Sequence, residues 1–184
     1  MSLPHYKNSR SSNKKEEVIY PNLFEVTIFT PDGDDTGLIL EHVTKVGGLK
    51  GLYPTIEEVN QKFKFTERSY AGMPGSTSVD ISVTFTLNLN DANENYIFNA
   101  FAKWYKRIYN PETGEMGVKK DYTGSMIVVQ HTRKGDIFRN ITFKDIFPKG
   151  ELDSLDELSY ETTEPAELTV TFRCNHWVDN ALGQ

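Results

Sequence analysis

A chain of 184 residues is long enough to bury one substantial core, because a domain of about 150 residues removes roughly 70% of its unfolded surface from water. Twenty basic residues against 26 acidic ones leave a net charge of −6, which argues against overall charge as a means of holding nucleic-acid phosphates or an anionic membrane. The single cysteine, Cys174, excludes an intrachain disulfide framework and a multi-thiolate zinc site.

In chain order, residues 1–19 carry Ser, Asn, Lys, Arg and Glu without a period and are predicted to form a flexible arm before a single domain over 20–180. No leader peptide and no run of about 18 apolar residues is present, so a soluble chain made in the cytoplasm is expected. Phe24, Val26 and Ile28 alternate with Glu25, Thr27 and Phe29, the period of a strand with two unlike faces. PDGDDTG at 31–37 marks a turn, 37–46 reads as the returning strand, and GGLKGLYP at 47–54 breaks regular structure. Residues 57–69, with Val59, Phe63 and Phe65, predict one strand leading into a second Gly/Pro loop, YAGMPGS at 70–76.

The clearest strand is 78–90. Val79, Ile81, Val83, Phe85, Leu87 and Leu89 share one face, and Ser, Thr, Asn and the single Asp80 share the other. Asp91 then stands as a helix N-cap with Glu94 three residues on. Ile97, Phe98, Phe101, Trp104, Tyr105 and Ile108 form one stripe of a helix over 92–109, which NPETG at 110–114 stops. Residues 124–131 and 136–146 predict a hairpin across TRKG, 152–160 a weaker strand, and 167–177 a last alternating strand. Seven or eight mostly hairpin-connected strands and one helix predict a mainly β fold, an antiparallel β-barrel or two-sheet sandwich with one flanking α-helix.

The chemistry that such a chain could carry is sparse. His5, His42, His131 and His176 lack a second ligand at metal-binding spacing, and a calcium-loop start at Asp32 and Asp34 meets Val43 where a bidentate Glu is needed. No nucleophile elbow or phosphate-cradling glycine motif occurs. No catalytic residue, metal or cofactor is therefore predicted, and an enzyme is the minority reading. Charge placement is more informative. From Glu151 to Glu167 there are seven acids and no Lys or Arg, whereas Lys103, Lys106, Arg107, Lys119, Lys120, Arg133 and Lys134 cluster elsewhere. Two readings stand: solvated faces, or an acidic segment of one copy meeting a basic patch on the next, head to tail. The polar face of 78–90 is likewise either an ordinary Thr-rich strand surface or a smooth hydrated wall.

PNLFEVTI at 21–28, GMPGSTSVDISVTFTLN at 72–88, FNAFAKWYKRI at 98–108, the block at 125–153 and LTVTFRCNHWVDN at 168–180, in that order, cover most of 20–180. This succession resembles the tail tube proteins, the inner tubes of contractile phage tails and related injection systems. The resemblance implies six copies joining their sheets into a ring, rings stacking into a hollow tube, and DNA or an effector protein sliding through without specific binding. It implies a channel lining made by Asp80, Ser82, Thr84 and Thr86. It implies contacts between subunits or rings through Gly48, Lys50 and Tyr53 and through Tyr70, Met73 and Pro74, to which the charge clusters add Asp156, Glu157, Arg133 and Lys134 as candidate contact residues. Further partners would be a sheath protein and baseplate or terminator proteins, the site a virion tail or injection particle, with no membrane insertion by this chain. The arm at 1–17 and the stretch 110–121 are longer than that family's pattern requires. A monomeric ligand-binding β-barrel is the reading from a different class, and it requires a stable monomer with an apolar cavity.

Overall fold

The computed structural model describes residues 19–31, 42–53, 55–75, 78–89, 96–152 and 165–181. Its strands are β1 (Phe24–Phe29), β2 (Val43–Gly47), β3 (Ile56–Lys62), β4 (Glu67–Pro74), β5 (Val79–Thr86), β6 (Gly124–His131), β7 (Ile137–Lys149) and β8 (Glu167–Ala181). Two helices, α1 (Tyr96–Ile108) and α2 (Lys119–Tyr122), and a 3-10 turn at Leu49–Leu52 complete the described elements. β1, β6, β7, β8, β5 and β2 pair in that order, all antiparallel, while β3 and β4 form a separate two-stranded ribbon. The fold is mainly β, with a nearly closed, barrel-like sheet and one long helix.

The closure has a physical cause. Six strands spaced about 4.8 Å apart make a sheet far wider than one helix of about 10 Å diameter. Yet Val26 and Ile28 on β1, Met126 and Val128 on β6, Ile141 and Phe143 on β7, Val170 and Phe172 on β8 and Ile81 and Val83 on β5 all bury into one cluster. Only a sheet curled around the helix brings these rows together. Ile97, Phe101 and Trp104 supply the filling stripe of α1. The Phe101 ring lies 5.1 Å from Phe85 and 6.0 Å from Phe172, and Trp104 lies 5.7 Å from Phe172. Trp104 Nε1 also donates to the carbonyl of Tyr122 at 2.6 Å, which ties α2 to the core. Gly124 is required where β6 starts, since a Cβ there would lie 2.3 Å from the Phe29 carbonyl oxygen and 2.9 Å from the Trp104 ring.

β7 and β8 are long enough to serve both sides of the curl, and their alternation changes phase midway. Phe143 pairs with Trp177 and Ile146 with Cys174, all turned to the core. Between them Asp145 takes a φ of 54° and is the extra residue opposite the Gly124–Ser125 step of β6. Such a bulge sharpens twist, and Asp is among the few residues that tolerate this backbone region.

Several expectations are met and several corrected. The apolar row of the 78–90 segment is buried from Val79 to Phe85, but β5 ends at Thr86 and Leu89 is exposed. Residues 57–69 are not one strand: the chain turns at Phe63–Thr66, where the Phe63 N–H donates to the Thr66 carbonyl at 2.7 Å. The loop expected at 70–76 is strand as far as Pro74. Gly72 and Pro74 read as breakers, but a two-stranded ribbon has a free edge where a missing N–H costs no ladder bond, and Gly72 lies close against the Glu57 carbonyl. The 119–122 helical turn has no counterpart in the sequence reading. The N-terminal arm up to residue 18, the 32–41 connection, the Asp91–Glu94 capping box and the segment 153–164 lie outside the described residues.

Candidate assembly surfaces

The face of β5 turned away from the core is laid out by register. Ser82 stands opposite Thr171, and Thr171 opposite Lys149 on β7; Thr84 stands between Lys45 on β2 and Thr169 on β8; Thr86 faces Glu167. The Thr84 and Thr169 hydroxyls lie 3.0 Å apart, and Thr84 is only 9% exposed. At the next row Asp80 faces Arg173. Asp80 Oδ1 accepts from Arg173 Nη1 at 2.8 Å and Oδ2 from Lys149 Nζ at 2.9 Å, while Arg173 Nη2 donates to Ser78. Hydrogen bonds from Arg173, then Lys149, hold the Asp80 carboxyl below its ordinary pKa, against a smaller opposing effect of burial. The polar row of β5 thus belongs to a wider wall of hydroxyls with one three-charge knot. Arg173 and Lys149 were not singled out from sequence. Alternation places Arg173 on the polar face, but its partner on a strand 93 residues away is a matter of sheet order.

The segment carrying Gly48, Lys50 and Tyr53 is bound to the rest of its own chain. Gly48 has a φ of 86°, and a Cβ there would meet the Asp80 carbonyl oxygen at 2.3 Å. Leu52 is fully buried, and Lys50 is exposed. Tyr53 donates its hydroxyl to Asp179 Oδ2 at 2.8 Å and meets Trp177 edge-on at 5.5 Å. Arg139 grips the same carboxylate, Nε at 3.1 Å and Nη2 at 2.6 Å from Oδ2. The Arg139 hydrogen bonds hold the Asp179 carboxyl below its ordinary value, and the bond to Asp179 raises the Tyr53 hydroxyl.

Tyr70, Met73 and Pro74 sit on the β3–β4 ribbon, where every described residue except Gly72 is exposed. Met73 is 91% exposed and Phe65, at the tip, 88%. Val59 and Tyr70 are directly paired across the ribbon, and Ile56 pairs with Pro74. Arg133 and Lys134 lie in the exposed β6–β7 turn, with the Arg133 guanidinium 5.4 Å from the Tyr20 ring centre. Asp156 and Glu157 lie outside the described residues.

Among the described residues no group of three or more His, Cys, Asp and Glu side chains could hold a metal ion, and no helix is long and apolar enough to cross a membrane. A groove of about 460 Å³ is lined by residues including Phe29, Thr30, Thr123, Ser125, Lys144 and Asp145, which supply hydroxyls and one pair of opposite charges. Cys174 is buried, and desolvation pushes its thiol pKa up, so it is a poor nucleophile.

No family model matches the sequence, and neither does any curated protein. Solved structures do match in fold. The anti-feeding prophage cap, described as the tube terminating cap, superposes with a TM-score of 0.60 at 12% identity, over 93% of this chain and 99% of the other. A chain of the PVC sheath–tube complex of an extracellular contractile injection system gives 0.60 at 14%, over 91% and 95%. One from the PVC sheath/tube terminator gives 0.59 at 13%, over 91% and 99%. The fold is therefore the tail-tube fold, the one these tube and terminator structures share.

Proposed function

We propose that the chain is a structural subunit of a phage tail tube, six copies closing a ring through their sheet edges and rings stacking around a channel that passes DNA. The observation that carries this is the β3–β4 ribbon. Two strands alone are marginally stable in water, yet this ribbon leaves Ile56, Val59, Phe65, Tyr70 and Met73 exposed. A surface on another molecule, here the neighbouring subunit or ring, would cover them. The sheet supports the same reading, because among the described residues β1 and β2 are its two unmatched edges, and pairing one copy's edge with the next copy's would satisfy both.

In this arrangement the wall of Ser82, Thr86, Thr169 and Thr171 faces the channel, with Thr84 largely buried and its hydroxyl against that of Thr169. Short neutral hydroxyls hold water and offer cargo no strong site. A second reading, the inner tube of a bacterial contractile injection particle carrying effector proteins, is favoured by the injection-system origin of the matching structures. In either setting a sheath and baseplate or terminator proteins would be the outer and end partners, and the tube works without catalysis. A ligand-binding barrel is disfavoured because Phe85, Phe101, Trp104 and Phe172 occupy the interior such a barrel would leave open.

Negative-stain electron microscopy of the purified chain across a concentration series, with light scattering for mass, tests the proposal. Rings or hollow tubes are the expected result. A monomer at every concentration overturns it. Nuclease-protected DNA inside particles isolated from cells separates the phage reading from the injection reading.

A further inference from the structure

We propose that Asp80 is a charge mask, pairing with Arg173 and Lys149 so that the outward sheet face does not hold a nucleic-acid strand. The inference rests on the reading of that face as the channel wall, and it deepens it. Along the register rows that cross β5 the face carries three cations, Lys45, Lys149 and Arg173, and two acids, Asp80 and Glu167. Of the two acids, Asp80 bridges two cations at once, one on each carboxylate oxygen, at 2.8 Å and 2.9 Å. All three side chains stay partly open to solvent, at 38% for Asp80, 54% for Lys149 and 32% for Arg173. A phosphate could therefore reach either cation if the carboxylate were gone.

The masking follows from how polyanions bind. Affinity comes largely from small ions released when a cation meets a phosphate. A cation already neutralised by a carboxylate neutralises no phosphate and so displaces few of the small ions condensed on the strand, and a phosphate approaching Arg173 or Lys149 also meets the repulsion of Asp80. Without Asp80 these rows would present Lys45, Lys149 and Arg173 against Glu167 alone, repeated in every copy around a ring. The hydroxyl-rich remainder of β5 would then border a ring of unbalanced positive charge, and a strand would stall there instead of sliding.

The test uses a short fluorescein-labelled single-stranded DNA and anisotropy titrations at several salt concentrations. Wild type, Asp80→Asn and the triple variant Asp80→Asn/Lys149→Gln/Arg173→Gln are compared, first as dispersed subunits and then as assembled tubes, with circular dichroism as the check on folding. Two unmasked cations predict that Asp80→Asn gains binding that falls roughly sevenfold over a fourfold rise in salt, and that the triple variant loses it. If Asp80→Asn does not fold, Asp80→Thr, which continues the Ser/Thr pattern of β5, takes its place. Gain in subunits, and in tubes where the bound DNA resists nuclease, supports both the mask and the channel position. Gain in subunits with none in tubes, or with DNA on tubes that nuclease still digests, keeps the mask and overturns the channel reading of this face. No gain in folded subunits, or a gain that survives in the triple variant, overturns the mask.

Discussion

Replacing Asp179 with Asn should loosen the seam between the 49–53 segment and the end of β8. In the native chain the carboxylate accepts Arg139 Nη2 at 2.6 Å and Nε at 3.1 Å on the same oxygen, with Tyr53 at 2.8 Å. The Asp179 side chain is 7% exposed and that of Arg139 27%. Breaking a fully buried pair costs about 3–5 kcal/mol, whereas an exposed pair is worth about 0–1 kcal/mol. Water can reach Arg139, and Asn keeps one acceptor, so the cost should fall between these limits, at about 2 kcal/mol. For a chain of this size that lowers the melting temperature by roughly 4–8 °C. The pH dependence carries a definite sign. Arg139 depresses the folded-state carboxyl of Asp179, so the pair's contribution is fully present above the ordinary carboxylate range near pH 4 and is lost as pH falls through the depressed value. Melting curves of both proteins from neutral to acid pH should show a gap that narrows below about pH 4. Tyr53→Phe, which keeps the ring against Trp177, should cost a small fraction of the Asp179 change. A gap under about 1 °C at neutral pH, or one that does not narrow in acid, would refute the reasoning.

Gly48→Ala forces a side chain into a φ of 86° and against the Asp80 carbonyl; it should cost about 2 kcal/mol or more, read as a lower urea midpoint. Trp104→Ala removes a fully buried ring of the aromatic cluster and the bond to Tyr122, and about 3–5 kcal/mol of stability should go with it in the same titration. Phe65→Ser, at the ribbon tip, should leave the monomer's melting temperature within about 2 °C yet shift tube formation on electron-microscope grids to higher concentration. Unchanged assembly with that variant would remove Phe65 from the proposed contact.

Strand character and the helix stripe were legible because each is written in local spacing. Val79 to Phe85 alternate with a period that no other element fits, and Ile97, Phe101 and Trp104 recur at the helical repeat. Errors concentrated where local rules and context conflict. Gly72 and Pro74 signal a loop in isolation, yet a ribbon with one open edge accepts both. Val59, Phe63 and Phe65 suggest one continuous strand, but Phe63 and Phe65 lie in the turn between β3 and β4, and all three stand exposed.

The sequence by itself determined which residues are apolar, at what period, and therefore a β-rich chain with one amphipathic helix. Tertiary structure decided which strands are neighbours. β5 lies between β2 and β8, partners about 40 and 90 residues distant in the chain, and only that order sets Asp80 between Arg173 and Lys149 and brings Tyr53 to Asp179. The reason is physical: periodicity fixes the face on which a side chain stands, but pairing across a sheet is chosen by the joint burial of the whole core, which no local window contains.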